Sequence, residues 1–84
     1  MKRIIHYQTE EYGYIKVKLA EVLESRGITR NKLSSLTGIK YEIIDRYYQG
    51  KNISMADLNF LAKVCYCLDC KIEDLLEYCS PEEN

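Results

Sequence analysis

The sequence predicts an all-α fold, a compact bundle of five short helices. Apolar residues recur at helical spacing in several short runs. Gly27, Gly38 and Gly50 each follow such a run, at the point where easy left-handed backbone geometry would end a helix. The connections between the runs are brief. Helices of about seven to ten residues are marginal alone, so packing between them must stabilise the bundle.

The size and composition of the chain limit what it can be. Its 84 residues suffice for one modest core and are too few for a cleft between two lobes. Hydrophobic residues make up 46% and charged residues 30%, a balance typical of a globular protein. The sequence contains no apolar run of the roughly 20 residues that a membrane span needs. The N-terminus also lacks the features of a signal peptide. We therefore expect a cytoplasmic protein without a membrane partner.

The first three helices are predicted from about Tyr14 to Ser25, from Arg30 to Leu36, and from Lys40 to Gln49. Thr29 can cap the second helix with its hydroxyl, whereas Lys40 has no side-chain acceptor with which to cap the third. The residues expected to face inward are Ile15, Leu19, Val22 and Leu23 in the first helix, Leu33 and Leu36 in the second, and Ile43, Ile44 and Tyr47 in the third.

The fourth helix is predicted to begin at Ser54, where Ser-Met-Ala-Asp resembles a capping box. After a break at Asp69-Cys70-Lys71, a fifth helix should run from Ile72 to about Tyr78. Arg3 to Tyr7 is the only patch that suggests a strand. The predicted organisation is an N-terminal arm at 1–13, a domain at 14–79 and a polar tail at 80–84. The inner stripe expected in the fourth helix consists of Met55, Leu58, Leu61, Ala62, Cys65 and Leu68.

Charge is distributed unevenly along a chain whose formal net charge is only −1. Residues 1–51 carry ten Lys/Arg against six Asp/Glu, and residues 52–84 carry two against seven. The basic first part favours a polyanion-facing side. A split of this size can also arise by chance.

The second and third helices, with a three-residue turn that contains glycine, have the arrangement of a helix-turn-helix. Ser34 is small where the two helices would cross, Gly38 lies in the turn, and Ile44 would fill the angle between them. We expect that a larger residue at Ser34, or a β-carbon at Gly38, would force the helices apart.

The stretch GITRNKLSSLTGIKYEIIDRYYQGK, followed by an apolar helix and DLLEY, resembles the Cro/C1-type (XRE-like) helix-turn-helix domain of prokaryotic and phage repressors. The resemblance covers about Ile15 to Tyr78. It implies a lambda-repressor-like, five-helix DNA-binding domain whose third helix lies in the major groove. By position, it implies that the base-reading side chains are Lys40, Tyr41, Glu42 and Arg46, and that the phosphate contacts are Thr29, Arg30, Gln49 and Lys51.

The sequence departs from the family at two places. Lys40-Tyr41-Glu42 stands where many members have Ser, Thr or Gln, and Leu23 and Tyr48 stand where many members have an Arg–Glu ion pair. An apolar–aromatic contact between helices one and three is expected to replace that pair.

The residues of the third helix allow two interpretations. Arg46 could bind guanine O6 and N7, and Glu42 could accept from cytosine N4. Alternatively, these i, i+4 neighbours form a surface ion pair that faces water. Tyr41 could touch a thymine methyl group or a phosphate, or simply pack on a neighbouring side chain. Tyr47 is expected in the core and Tyr48 half-buried against the first helix.

The four cysteines do not have convincing metal-site spacing. Cys65 is expected to be a small core residue, Cys67 lies on another side of the same helix, Cys70 is placed at its buried end, and Cys79 is placed in the frayed tail. His6, the single histidine, has no accompanying catalytic group. We therefore expect no enzyme activity, metal, cofactor or small-molecule substrate.

Two functions follow from the sequence. The first is a sequence-specific, DNA-binding transcriptional regulator that binds double-stranded DNA as a homodimer and reads the major groove with helix 40–49. The second is a protein-interaction module, of antitoxin or anti-repressor type, that keeps the scaffold without DNA binding. The acidic last third and the carboxylates on the third helix favour the second.

Overall fold

The computed structural model describes residues 11–81. None of the helices in this range is long and apolar enough to cross a membrane. Helices α1 (Leu19–Arg26) and α2 (Arg30–Thr37) both pack against α3 (Tyr41–Gln49), and α2 also packs against α4 (Leu58–Leu68). The elements in chain order are β1 (Tyr14–Val17), α1 (Leu19–Arg26), α2 (Arg30–Thr37), α3 (Tyr41–Gln49), α4 (Leu58–Leu68), α5 (Ile72–Leu75) and β2 (Leu76–Cys79).

The predicted ends of the first three helices are confirmed. Gly27, Gly38 and Gly50 each follow the last helical residue and adopt left-handed geometry. The cap of α2 is also as predicted, because Thr29 Oγ1 accepts a hydrogen bond of 3.0 Å from the Lys32 N–H. Lys40, which precedes α3, makes no side-chain cap bond.

A small antiparallel sheet joins the two ends of the described chain, so residues 11–81 are mostly helical with one two-stranded sheet. Tyr14 pairs with Cys79 and Val17 pairs with Leu76. The prediction of helix at Tyr14–Val17 is therefore wrong. The predicted continuation of the fifth helix from Leu76 to about Tyr78 is wrong as well. Aromatic and β-branched residues suit strands better than helices, and each strand supplies the other's hydrogen bonds. The strand suggested at Arg3–Tyr7 lies outside the described residues, as does His6.

The core lies between the helices and the sheet, and its most enclosed side chains include Leu33, Ile44 and Val64, each 0% exposed. The Tyr47 and Phe60 rings stack with their centroids 4.0 Å apart, which joins α3 to α4. Tyr47 is thus a core residue, as predicted. The buried set is Leu19, Val22, Leu23, Leu33, Ile44, Tyr47, Phe60, Leu61, Val64, Leu68 and Leu75.

Several residues predicted to face inward are exposed instead. Ile15 is 56% exposed in β1, and Leu36 is 47% exposed at the end of α2. The larger error concerns α4, which begins at Leu58 rather than at Ser54. Asp57 is its cap and accepts a 2.8 Å hydrogen bond from the Asn59 N–H.

The apolar stripe predicted for α4 mixes two sides of that helix. Phe60, Leu61, Val64 and Leu68 are the residues that face the core. The expected members that lie outside the core are Met55, Leu58 and Ala62, all of them exposed, whereas Cys65 packs at the core margin.

Candidate nucleic-acid interface

Side-chain hydrogen bonds tie the turn between α2 and α3. Ser34 Oγ donates to the Ile39 carbonyl oxygen at 2.6 Å. Thr37 Oγ1 donates to the Leu33 carbonyl at 2.8 Å and accepts from the Ile39 N–H at 3.2 Å. The bonds to Ile39 join α2 to the connection that follows it, and the bond from Thr37 to Leu33 lies within α2. Together they limit the angles that α2 and α3 can adopt.

Gly38 is required at this turn for a different reason from the one predicted. A β-carbon at Gly38 would meet no atom within 4 Å, so the expectation that it would force the helices apart is wrong. The backbone φ of +74° supplies the actual reason, since side-chain-bearing residues rarely adopt it. Ile44 is completely buried in the core together with Leu33 of α2, as expected of a residue that packs between the two helices.

One side of α3 is buried in the core and the other is exposed to solvent. Ile44 and Tyr47 are buried, and Ile43 is half-buried against the core. The four residues that the family resemblance assigned to base reading are all exposed, and they occupy the beginning and one side of α3. They are Lys40, Tyr41, Glu42 and Arg46.

No ion pair joins Glu42 to Arg46 within the described residues. Arg46 lies with its guanidinium carbon 6.0 Å from the centre of the Tyr47 ring, and its side chain is otherwise open to solvent. Both charges therefore remain available to a partner that approaches α3.

Of the residues assigned to phosphate contacts, Thr29, Gln49 and Lys51 are exposed near the ends of α2 and α3. The Thr29 oxygen accepts from the backbone of its own helix, which leaves its O–H free to donate outward. Gln49 Nε2 approaches Asp45 Oδ1 at 3.5 Å, at the weak limit of a hydrogen bond.

Arg30, the fourth of these residues, is held within the chain. Its guanidinium forms an ion pair with Asp45, and thus joins the first turn of α2 to the middle of α3. The same guanidinium carbon lies 4.2 Å from the centre of the Tyr48 ring and 5.8 Å from that of Tyr41. Sequence reasoning missed this cluster, because Arg30 and Asp45 are fifteen residues apart and share no periodic pattern.

A second polar contact joins α1 to α3. The Tyr48 hydroxyl donates to Glu24 Oε2 at 3.0 Å, and this bond raises the pKa of Tyr48 above its ordinary value of 10.0. Tyr48 is half-buried, as predicted, and packs against the core cluster to which Leu23 belongs. Both residues line one open cleft. The sequence analysis did not identify Glu24, which directly follows Leu23, as the hydrogen-bond partner of Tyr48.

Two of the four cysteines lie close together at the margin of the core. Cys65 and Cys70 pack at the margin of the core, and burial, with Cys65 close by, raises the pKa of Cys70 to about 11. Cys79 was expected in a frayed tail but belongs to β2. Among residues 11–81, no three His, Cys, Asp or Glu side chains are grouped as metal ligands would be.

Comparison with known proteins identifies the family. The profile of the Cro/C1-type helix-turn-helix DNA-binding domain matches residues 18–80, most of the chain. The chain belongs to the Cro/C1-type helix-turn-helix family. It is therefore a DNA-binding regulator of that general class, as the resemblance implied.

Relatives of this Cro/C1-type domain agree with that assignment. It is 32% identical over 60 residues to YopS, an uncharacterized HTH-type transcriptional regulator derived from the SPβ prophage of Bacillus subtilis. That match covers 71% of this chain and 80% of the relative.

Two crystal structures share the fold. One is a candidate DNA-binding protein from Bacteroides fragilis, with a TM-score of 0.66 at 23% identity, and it covers 76% of this chain and all of that one. The other is the transcriptional regulator VanUg, with a TM-score of 0.62 at 21% identity, covering 94% of this chain and 99% of that one.

Proposed function

We propose that this chain is a sequence-specific transcriptional regulator that reads the DNA major groove with α3. The observation that carries the proposal is the asymmetry of α3. Ile44 and Tyr47 are buried in the core on one side of α3, while Glu42 and Arg46 are exposed to solvent on the other side. The major groove admits an α-helix, so a helix anchored along one side can present the other to base edges.

The exposed side chains of α3 match particular base edges. Arg46 can donate two hydrogen bonds to guanine O6 and N7, and Glu42 can accept one from cytosine N4. Tyr41 offers an aromatic edge to a thymine methyl group. Lys40, at the N-terminal end of α3, can approach either a base or a phosphate.

Phosphate contacts would fix the position of α3 in the groove. The Thr29 hydroxyl lies at the N-terminus of α2, where free backbone N–H groups also favour an anion. Lys51 and Gln49 lie at the other end of α3. Arg30 contributes less charge than its identity suggests, because Asp45 already neutralises it.

The test is a selection of bound sequences from a random duplex pool, followed by binding measurements across a salt series. Arg46→Ala should lose preference at one guanine position, a discrimination of about 1–3 kcal/mol. Lys51→Ala should instead weaken binding to all sequences and reduce the salt slope by about 1. If both variants bind like the wild type, α3 is not the reading element.

As a regulator of this type, the protein would act as a homodimer on two half-sites about 34 Å apart. A cytoplasmic location, and a role without enzyme activity or a small-molecule ligand, follow from the same proposal. The similarity to YopS, an HTH-type transcriptional regulator, supports the regulatory role.

The second candidate function is a protein-interaction module without DNA binding. The observation that favours it is the charge on α3, where Glu42 is exposed and has no ion-pair partner among residues 11–81. Its carboxylate would repel the phosphates of a duplex that approaches α3. This function predicts capture of a protein partner that is insensitive to nuclease treatment. Tight, salt-sensitive duplex binding would count against it.

A further inference from the structure

Helix α4 is apolar almost all the way round, yet only one of its sides is buried. Its sequence, LNFLAKVCYCL, has polar side chains only at Asn59 and Lys63. A helix of this composition is normally enclosed on every side. The core takes up Phe60, Leu61, Val64 and Leu68, and the other residues in the range 11–81 leave the opposite side uncovered.

The uncovered side forms one continuous stripe. Leu58, Ala62 and Tyr66 follow at four-residue intervals, which places them one above the other along α4. Leu58 is 78% and Tyr66 89% exposed, and Met55, just before the helix, is 87% exposed. We call Leu58, Ala62 and Tyr66 the outer face of α4.

We propose that the outer face of α4 binds the same face of a second copy of this chain, and so forms the homodimer. The face and Met55 together offer on the order of 400–600 Å² of largely apolar surface, the upper range for a patch on a monomer. A standard interface buries about 800 Å² per partner and is most apolar at its centre. The outer face thus supplies the centre, and Asn59 and Lys63 lie on its polar flank.

A dimer through the outer face also leaves the proposed reading side of α3 free, a step that rests on the proposed DNA-reading function. The Tyr47–Phe60 stack attaches α3 to the side of α4 opposite the outer face. A second copy on the outer face therefore does not cover Glu42 and Arg46, which are exposed on the solvent side of α3.

A two-fold axis through the middle of the outer face brings Ala62 against Ala62 of the second copy and Leu58 near its Tyr66. The most informative variant is therefore a charged residue at Ala62. Ala62→Glu places two like charges face to face at the axis, in the apolar centre of the interface. Ala62 is exposed in the monomer, so the substitution leaves the fold of each chain intact.

The test is sedimentation equilibrium of the full chain without DNA over a concentration series. The wild type should dimerise, and Ala62→Glu should raise the dimer dissociation constant by at least about 100-fold. Leu58→Glu should do the same, and an acid in the first turn of a helix does not disfavour that helix. Ile72→Glu is the matched control, because it places the same acid at another exposed apolar position and should not change the dimer.

Ile15 of β1 is another exposed apolar residue and a rival position for the dimer interface, which the variant Ile15→Glu tests. If it dissociates the dimer while Ala62→Glu does not, the proposed surface is wrong. A wild type that stays monomeric at about 100 µM also overturns the proposal, and protection of the outer face in such a monomer would assign it to the chain's own residues 1–10. A dimer that dissociates as expected but binds no duplex would sustain the interface and overturn the DNA-reading function instead.

Discussion

At the scale of single residues, two glycines with similar backbone geometry have different surroundings. Gly13 and Gly38 both have positive φ, at +81° and +74°. A β-carbon at Gly38 would enter open space, whereas one at Gly13 would lie 2.2 Å from the Cys79 carbonyl oxygen. The sequence alone does not show that Gly13 is required for lack of space as well as for its backbone geometry. The atoms that crowd Gly13 belong to Cys79, at the other end of the domain.

These two glycines give a matched prediction. Gly38→Ala should lower the free energy of unfolding by about 1–2 kcal/mol, the cost of left-handed geometry alone. Gly13→Ala should cost clearly more, because the paired end of the sheet must also shift. Urea denaturation measures both. Equal losses would show that the end of the sheet contributes nothing to stability at Gly13.

Tyr48 supplies a prediction of pH dependence. Its hydrogen bond to Glu24 raises the pKa of the folded state above the ordinary 10.0, so folding favours the protonated phenol. The stabilisation is present below about pH 10 and is lost as the pH rises through the raised pKa. We therefore expect the wild type to exceed Tyr48→Phe in stability at about pH 8, and the difference to shrink above about pH 10.

Glu24→Ala is the control for this measurement, because it removes the hydrogen-bond acceptor that contributes most to the raised pKa of Tyr48. In that background the effect of Tyr48→Phe on stability should depend less on pH, with only the smaller contribution of burial left. An effect that stays constant from about pH 8 to about pH 11 in the wild-type background would contradict the hydrogen bond.

At the scale of elements, the contact between α2 and α3 combines structure with electrostatics. Asp45 holds Arg30 and places a carboxylate near the side that would face phosphates. Asp45→Asn should release the Arg30 guanidinium, at a cost of less than about 1 kcal/mol in stability for this partly exposed pair. The freed cation should steepen the salt dependence of duplex binding by about one counterion.

Glu42→Gln is the matched control on the same helix, because it removes one negative charge without freeing a cation. It should leave the salt slope of non-specific binding close to that of the wild type. If Asp45→Asn and Glu42→Gln change the slope equally, Arg30 does not reach a phosphate after its release.

The elements also show where the sequence was informative. The ends of α1, α2 and α3 could be predicted, because the glycines that end them act locally. The strands could not, since Tyr14–Val17 has its partner at Leu76–Cys79 and carries no local signal of that pairing. In α4 the apolar period was ambiguous, because Leu58 and Ala62 are as apolar as the Phe60 and Val64 that reach the core.

At the scale of the whole molecule, the helix-turn-helix is held between two other parts of the chain. The sheet joins the residues before α1 to those after α5, and the Lys18 N–H donates to the Leu75 carbonyl oxygen at 2.7 Å. The side of α3 proposed to read DNA is thus supported by the entire core. The exposed positions of Lys40, Tyr41, Glu42 and Arg46 could be placed from the family resemblance, whereas the neutralisation of Arg30 could not.

The proposed dimer predicts a dependence on half-site spacing. Inserting about five base pairs between the half-sites turns one of them to the opposite side of the duplex, since one helical turn is about 10–10.5 base pairs. Affinity should then fall to that of a single half-site, and about ten inserted base pairs should restore part of it. Gel-shift titration of three duplexes measures this. Equal affinity for all three would exclude a rigid dimer on DNA.

The central claim is that α3 enters the major groove, and methylation protection on a selected duplex tests it most directly. Dimethyl sulfate modifies guanine N7 in the major groove and adenine N3 in the minor groove. The bound protein should protect guanine N7 within each half-site and leave adenine N3 reactive there, with Arg46→Ala restoring reactivity at one guanine. Protection of adenine N3 with guanine N7 fully reactive would contradict the claim.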